Sequence, residues 1–168
     1  NNIGVLYYQK SETNRDRLEY LRSVLAHPLT KKDDRKYADS MNEFNKINAS
    51  IRSDLGNAEL WYRKAIEKDE NYAKAHHNLG IVLMKTENYE GALQEYGRAL
   101  QLNPTFAEAW NGVGACFFHL GRFDQAEDAF KKVLMINPND ENAKRNLEAI
   151  DRARRYPNGP PPGYRYAA

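Results

Sequence analysis

The chain has 168 residues, enough for one ordinary domain with a sizeable core, and its 41% hydrophobic and 29% charged residues give a soluble globular balance. With 25 Lys+Arg against 23 Asp+Glu the net charge is only +2 and no long single-sign block occurs, which argues against nucleic acid as partner, because phosphate binding needs a clustered basic face. No apolar run approaches the roughly 20 residues of a bilayer-spanning helix, and the single cysteine, Cys116, leaves neither a disulfide framework nor a cysteine-rich zinc site.

The opening stretch, NNIGVLYYQK, starts with an apolar helical face already under way and no cap before it. Ile3, Gly4 and Tyr7, then Tyr20 and Pro28, predict a partial repeat over residues 1–30, with Asp16 where a small alanine is expected. Such a start reads as the middle of a longer array, so a targeting signal and the compartment are not assessable. Residues 31–72 are expected to form one irregular unit. The interval from Gly4 to Gly80 exceeds twice the interval from Gly80 to Gly114, and the excess makes this unit longer than its neighbours by about eight residues, roughly two helical turns. Its first half carries a helical stripe of Tyr37, Met41, Phe44, Ile47 and Ile51, with Ala38 at the close-packing place, and its second half carries Ala58, Tyr62 and Ala65. The simplest expectation is a first helix lengthened by those two turns, an overhang of roughly 12 Å. Phe44, Ile47 and Ile51 would then lie beyond the reach of neighbouring helices and mark an interface.

Residues 73–106 and 107–140 show the period plainly. Ala58, Ala92 and Ala126 are evenly spaced, each followed one helical turn later by an aromatic (Tyr62, Tyr96, Phe130), and Gly80/Gly114, Leu79/Val113 and Pro104/Pro138 keep the same interval. Residues 141–155 (ENAKRNLEAIDRARR) read as one amphipathic helix with Leu147 and Ile150 inward and a polar outer face, the composition of a capping helix. Residues 156–168 form a proline-rich, basic and aromatic tail without the repeat pattern.

These positions resemble the tetratricopeptide repeat, W-x2-L-G-x2-Y, then A-x3-F, then P, in both the residue types and the period. The best copy is residues 107–140, with Trp110, Val113, Gly114, Phe117, Ala126, Phe130 and Pro138; in 73–106, His76 replaces the tryptophan and Leu83 the tyrosine. The resemblance implies an all-α, right-handed solenoid of helix-turn-helix repeats with a C-terminal capping helix. It also implies that the first helix of each repeat lines a concave, protein-binding face. That face would carry Tyr8 and Gln9, then Lys74, His77, Asn78, Ile81, Met84 and Lys85, then Glu108, Asn111, Ala115, Phe118 and His119. Apolar anchors among amides and charges suit a peptide. Asn2, Asn78 and Asn146 resemble an asparagine ladder for a peptide backbone, which Gly112 breaks. Chaperone-tail receptors of the family need a lysine-asparagine pair and later cations; Lys74 and Asn78 match, but Glu108 and Gly112 do not, and a glutamate there repels a carboxylate.

Catalytic chemistry is not indicated. No nucleotide-binding loop, serine-hydrolase elbow or H-E-x-x-H motif occurs, and neighbouring His76 and His77 point about 100° apart on a helix, unsuited to one metal. No cofactor is expected. The reading is a non-catalytic scaffold or adaptor subunit of a larger assembly, holding a peptide segment or other subunits by its groove, with further contacts through its N-terminal end and tail. Phe118→Ala and Met84→Ala are expected to weaken binding at unchanged helicity. The alternative is a substrate-recruiting arm of an enzyme whose catalytic domain lies outside this chain.

Overall fold

The computed structural model describes residues 3–27 and 34–156. Asn2, Pro28 and the tail beyond Tyr156, to which the sequence pattern gives roles, lie outside the described residues. The described residues form seven α-helices and no strand, and none of the helices is long and apolar enough to cross a membrane. The chain divides into two compact units, Asn1–Glu70 and Asn71–Ala168.

The first unit is a pair of packed helices, α1 (Ile3–Ala26) and α2 (Asp34–Lys68). Their buried positions recur in heptad steps: Gly4, Ser11 and Leu18 on α1, Ile51 and Ala58, and Leu55 and Tyr62, on α2. That is the interval of a left-handed, coiled-coil-like seam. Two cross-pairs fix the antiparallel register. Lys10 Nζ donates to Asp54 Oδ1 at 3.0 Å, and the Arg17 guanidinium forks onto both Glu43 carboxylate oxygens at 2.7 and 3.0 Å. The two partners of the first pair are unequal, since Asp54 is buried while Lys10 is largely exposed. Removing the lysine strands a buried charge; removing the aspartate frees an ammonium that already reaches water.

Here the structure departs from the spacing. The repeat pattern puts a turn inside residues 3–26 and another inside residues 34–68, yet each segment is one uninterrupted helix. The reason is local. Between Asp34 and Lys68 there is no proline and one glycine, Gly56, exposed with open space around it, so nothing stops the helix while the seam continues. Asp16, assigned to an alanine position, is exposed, as is Ala38, assigned to a glycine position. Tyr20, counted among the pattern residues of the partial repeat, is 55% exposed with the Arg17 guanidinium 4.9 Å above its ring. Phe44, Ile47 and Ile51 do not overhang into solvent either. The first two are half-buried and Ile51 is buried, because α1 runs alongside α2.

One crossing recurs in all three hairpins. A Cβ on Gly4 would come within 2.9 Å of Tyr62, one on Gly80 within 2.7 Å of Tyr96, and one on Gly114 within 2.6 Å of Phe130. Only a residue without a side chain lets the two helices close there. The interval from glycine to aromatic is the same in the two later hairpins, and in the first it is longer by the whole length of residues 31–72. The extra chain therefore falls between the two halves of a single hairpin. The others turn at Thr86–Asn88 and Leu120–Arg122; in the first, α1 continues from Lys10 to Ala26 and α2 begins at Asp34, each arm about 25–30 Å longer.

The second unit stacks α3 (Ala73–Lys85), α4 (Tyr89–Leu102), α5 (Ala107–His119), α6 (Phe123–Ile136) and α7 (Glu141–Arg155). Asn88 caps α4, accepting from the Gly91 amide at 3.1 Å, and Asp140 caps α7, accepting from the Ala143 amide at 2.8 Å. Asn103 and Asn137 end α4 and α6 in extended backbone because each precedes a proline. The α3–α4 and α5–α6 turns share one hydrogen-bond pattern, Asn88 N–H to Leu83 carbonyl and Arg122 N–H to Phe117 carbonyl, closing over a left-handed residue. In the second turn that residue is Gly121 (φ 71°); in the first it is Glu87 (φ 63°). Glu87→Gly is thus expected to raise the melting temperature slightly, whereas Gly121→Ala lowers stability by about 1 kcal/mol. Thermal unfolding of both variants checks the opposed signs.

Helices α3 and α5 touch, as do α5 and α7, while α4 and α6 make no comparable contact. The first helices therefore line the tighter side of this unit and the second helices splay apart outside. Tyr96, 1% exposed, is clasped between Gly80 of α3 and Gly112 of α5, where a Cβ would lie 2.4 Å from its ring. Helix α7 closes the stack with Ile150 fully buried against Ala126, Phe130, Val133 and Ala143, and Arg154 paired to Asp124 and Glu127 of α6.

Candidate functional site

The inner side of the second unit carries most of the residues singled out from the sequence. On α3, Lys74 is exposed and His77, Asn78, Ile81, Met84 and Lys85 are half-buried; on α5, Asn111 and Phe118 are half-buried and His119 is exposed. Spacings of three and four positions put Asn78, Ile81 and Lys85 on one stripe and Asn111, Ala115 and Phe118 on another. Tyr8, Gln9, Phe44, Ile47 and Ile51 belong to the first unit. There, Tyr8 is half-buried and Gln9 exposed.

Several groove side chains are pre-set by neighbours. The His77 ring lies 4.7 Å from Phe106 and 5.7 Å from Tyr96, and its Nδ1 is 3.2 Å from Asn78 Oδ1. Burial holds this imidazole below the usual histidine range, offset only in part by the Asn78 contact and the Glu108 charge. A neutral ring therefore faces the groove near neutral pH. His119 stacks flat on Tyr89, 4.9 Å away and 8° from parallel. Phe118 is less free than the sequence suggests. It packs on the Ala126–Phe130–Ile150 core and lies edge-on to Phe123 at 5.6 Å, so Phe118→Ala costs stability as well as contact area.

Gly112, where the asparagine ladder breaks, has a physical cause: the Tyr96 ring occupies the volume that any side chain there would need. His76, at the tryptophan position of its repeat, is buried with Nδ1 2.8 Å from Glu95 Oε2. Trp110, one period later, reaches the Pro104 carbonyl with its indole N–H at 3.0 Å.

Between α5, α6 and α7 lies a cleft of ≈ 230 Å³ lined by Ala115, Phe118, His119, Phe130, Asn146 and Ala149. The repeat register puts Ala115, Phe118 and His119 on the inner face and brings Asn146 of α7 to it through the asparagine ladder, but it does not single out Ala149. The available signal is the period. Ala75, Ala109 and Ala143 recur at the same interval as the other repeat positions and all are buried, so α7 takes the position of another first helix. Among the described residues no group of three or more His, Cys, Asp or Glu is placed to hold a metal ion. The Cys116 thiol is fully buried and is pushed up to about 12 by burial, with the Glu90 charge adding to it. Alkylation of the folded protein at mildly alkaline pH is expected to be negligible and to appear on unfolding, as mass spectrometry after iodoacetamide treatment would show.

A tetratricopeptide repeat family model matches residues 83–150 and a second, also described as tetratricopeptide repeat, matches residues 61–94. No curated protein sequence matches the chain. Among solved structures, the second TPR domain of human RPAP3, in complex with the HSP70 peptide SGPTIEEVD, aligns with TM-score 0.57 at 24% identity, covering 68% of this chain and 91% of that one. The first TPR of Spaghetti (RPAP3) bound to the HSP90 peptide SRMEEVD aligns with TM-score 0.60 at 22% identity, covering 68% and 86%. The Sgt2 TPR domain from Aspergillus fumigatus aligns with TM-score 0.59 at 22% identity, covering 72% and 85%. The chain belongs to the tetratricopeptide repeat family, and its fold is the all-α helical-repeat fold of those domains.

Proposed function

We propose that this protein is a non-catalytic interaction module, a scaffold or adaptor subunit that binds a polypeptide segment of a partner along the inner face of α3, α5 and α7. The observation that carries this reading is the half-exposed set Asn78, Ile81, Met84 and Asn111, in which apolar anchors and amides share a surface preset by buried aromatics. The peptide complexes of the RPAP3 domains show what such a fold can hold. Acidic tails of that kind are disfavoured here, because Glu108 supplies the wrong charge and Tyr96 leaves no room for a side chain at Gly112.

The test is selection of random peptides displayed on phage against the full chain, followed by affinity measurement with an Ile81→Ala/Met84→Ala variant. Binding should fall about tenfold or more, the size expected for loss of two half-buried anchors, at nearly unchanged melting temperature. Equal affinity for both proteins would remove α3 from the binding face. The long α1–α2 hairpin offers a separate surface for another subunit, and its removal should leave the selected peptides bound.

A further inference from the structure

We infer that the cleft between α5 and α7 is an anchor site for one uncharged apolar side chain, aliphatic or aromatic, of the bound polypeptide; this rests on the peptide-binding reading above. Its walls are Ala115, Phe118, Phe130 and Ala149, and its polar lining is the Asn146 amide and the His119 ring. No Lys, Arg, Asp or Glu lines it, so a charged side chain entering it would lose hydration without gaining an opposite charge from Lys, Arg, Asp or Glu. At ≈ 230 Å³ it falls below the roughly 300–1,000 Å³ of sites built for free small molecules, and suits a side chain carried by a longer ligand.

The repeat register accounts for the space. One repeat back, the lining set Ala115, Phe118, His119, Phe130, Asn146 and Ala149 becomes Ile81, Met84, Lys85, Tyr96, Gly112 and Ala115. At the α3–α5 junction the branched Ile81 stands where Ala115 opens the α5–α7 junction, and Tyr96 leans across to Gly112. Lys85 likewise places a cation where His119 is held in a stack on Tyr89. The same α5 stripe carries Asn111, whose Oδ1 is buried and has no hydrogen-bond partner among the described residues. The partner determinant is therefore an apolar residue with its backbone held by amides, not a terminal carboxylate.

The probe is the set of phage-selected peptides on the full-length chain. They should share one aliphatic or aromatic position, and changing it to aspartate should lower affinity about tenfold or more. Ala149→Phe and Ala115→Leu, which fill the cleft, should give the same loss while melting close to the unsubstituted protein. A photoreactive leucine at the shared position should crosslink to Phe118, Asn146 or Ala149, a readout that needs no variant to fold. Selected peptides that bind both filled-cleft variants with unchanged affinity, or that crosslink only to α3, would overturn the cleft assignment and leave the binding face standing. Selection of no peptide by the unsubstituted chain would overturn the binding face and the cleft together.

Discussion

Tyr96→Ala is expected to destabilise the second unit by about 3–5 kcal/mol, the cost of deleting a buried aromatic. For a unit of this size that corresponds to a fall in melting temperature of about 15–30 °C. Tyr96 is 1% exposed and its ring is gripped from both sides, by the backbone of α3 at Gly80 and of α5 at Gly112. Truncation therefore opens a cavity between two repeats that neither can close without a rigid shift of a whole helix. The converse change tests the same joint. Gly112→Asn, which would restore a continuous asparagine ladder, should destabilise by overpacking and not improve binding. Combining it with Tyr96→Leu should recover part of the loss, and thermal unfolding of the two singles and the double gives the coupling. Additive effects would mean that the ring does not set the helix spacing.

The period made these joints readable and hid one of their consequences. Glycine and alanine at a constant interval identify the close crossings because no other residue types tolerate them, and the inner-face residues on α3 and α5 follow by counting from them. The gap between Gly4 and Gly80 reads as a unit about eight residues too long, whereas the closing of Gly4 on Tyr62 makes the first hairpin longer by the whole of residues 31–72, and that is the extra chain. Its location was not legible, for two reasons. Tyr20 and Pro28 imitate the aromatic and proline that close a repeat, and the seam of Leu18, Leu21, Ile51 and Leu55 carries the same spacing that an independent repeat would show. Only the approach of Gly4 to Tyr62, far along the chain, distinguishes one expanded hairpin from two short ones. The cleft was illegible for a different reason. Ala115 and Asn146 each fall in register, but the cavity depends on the difference in volume between Ala115 and Ile81 at a junction whose other wall, α7, reads in sequence as a cap with one ladder residue.

Two deletions of equal length separate the one-hairpin description from the two-repeat one. Removing residues 13–54, with Ser11→Gly at the position that Glu87 and Gly121 hold in left-handed backbone, joins Glu12 to Leu55. The interval from Gly4 to Ala58 then equals the interval from Gly80 to Ala92. Tyr62 still closes on Gly4, and the protein should fold with cooperative unfolding and lose helix in proportion to the arms removed. Removing residues 31–72 takes out the same length of chain, but it takes all of α2. The α1 seam of Gly4, Ser11, Leu18 and Leu21 then loses α2 as its partner, and with it the packing that supplies most of a helix's stability in a folded protein. Circular dichroism should show the loss of α1 in addition to the deleted residues, and sedimentation should show association through the bared seam. A stable protein from the second deletion, with an unfolded product from the first, would mean that residues 31–72 are a repeat in their own right and that the Gly4–Tyr62 crossing does not hold the first unit together.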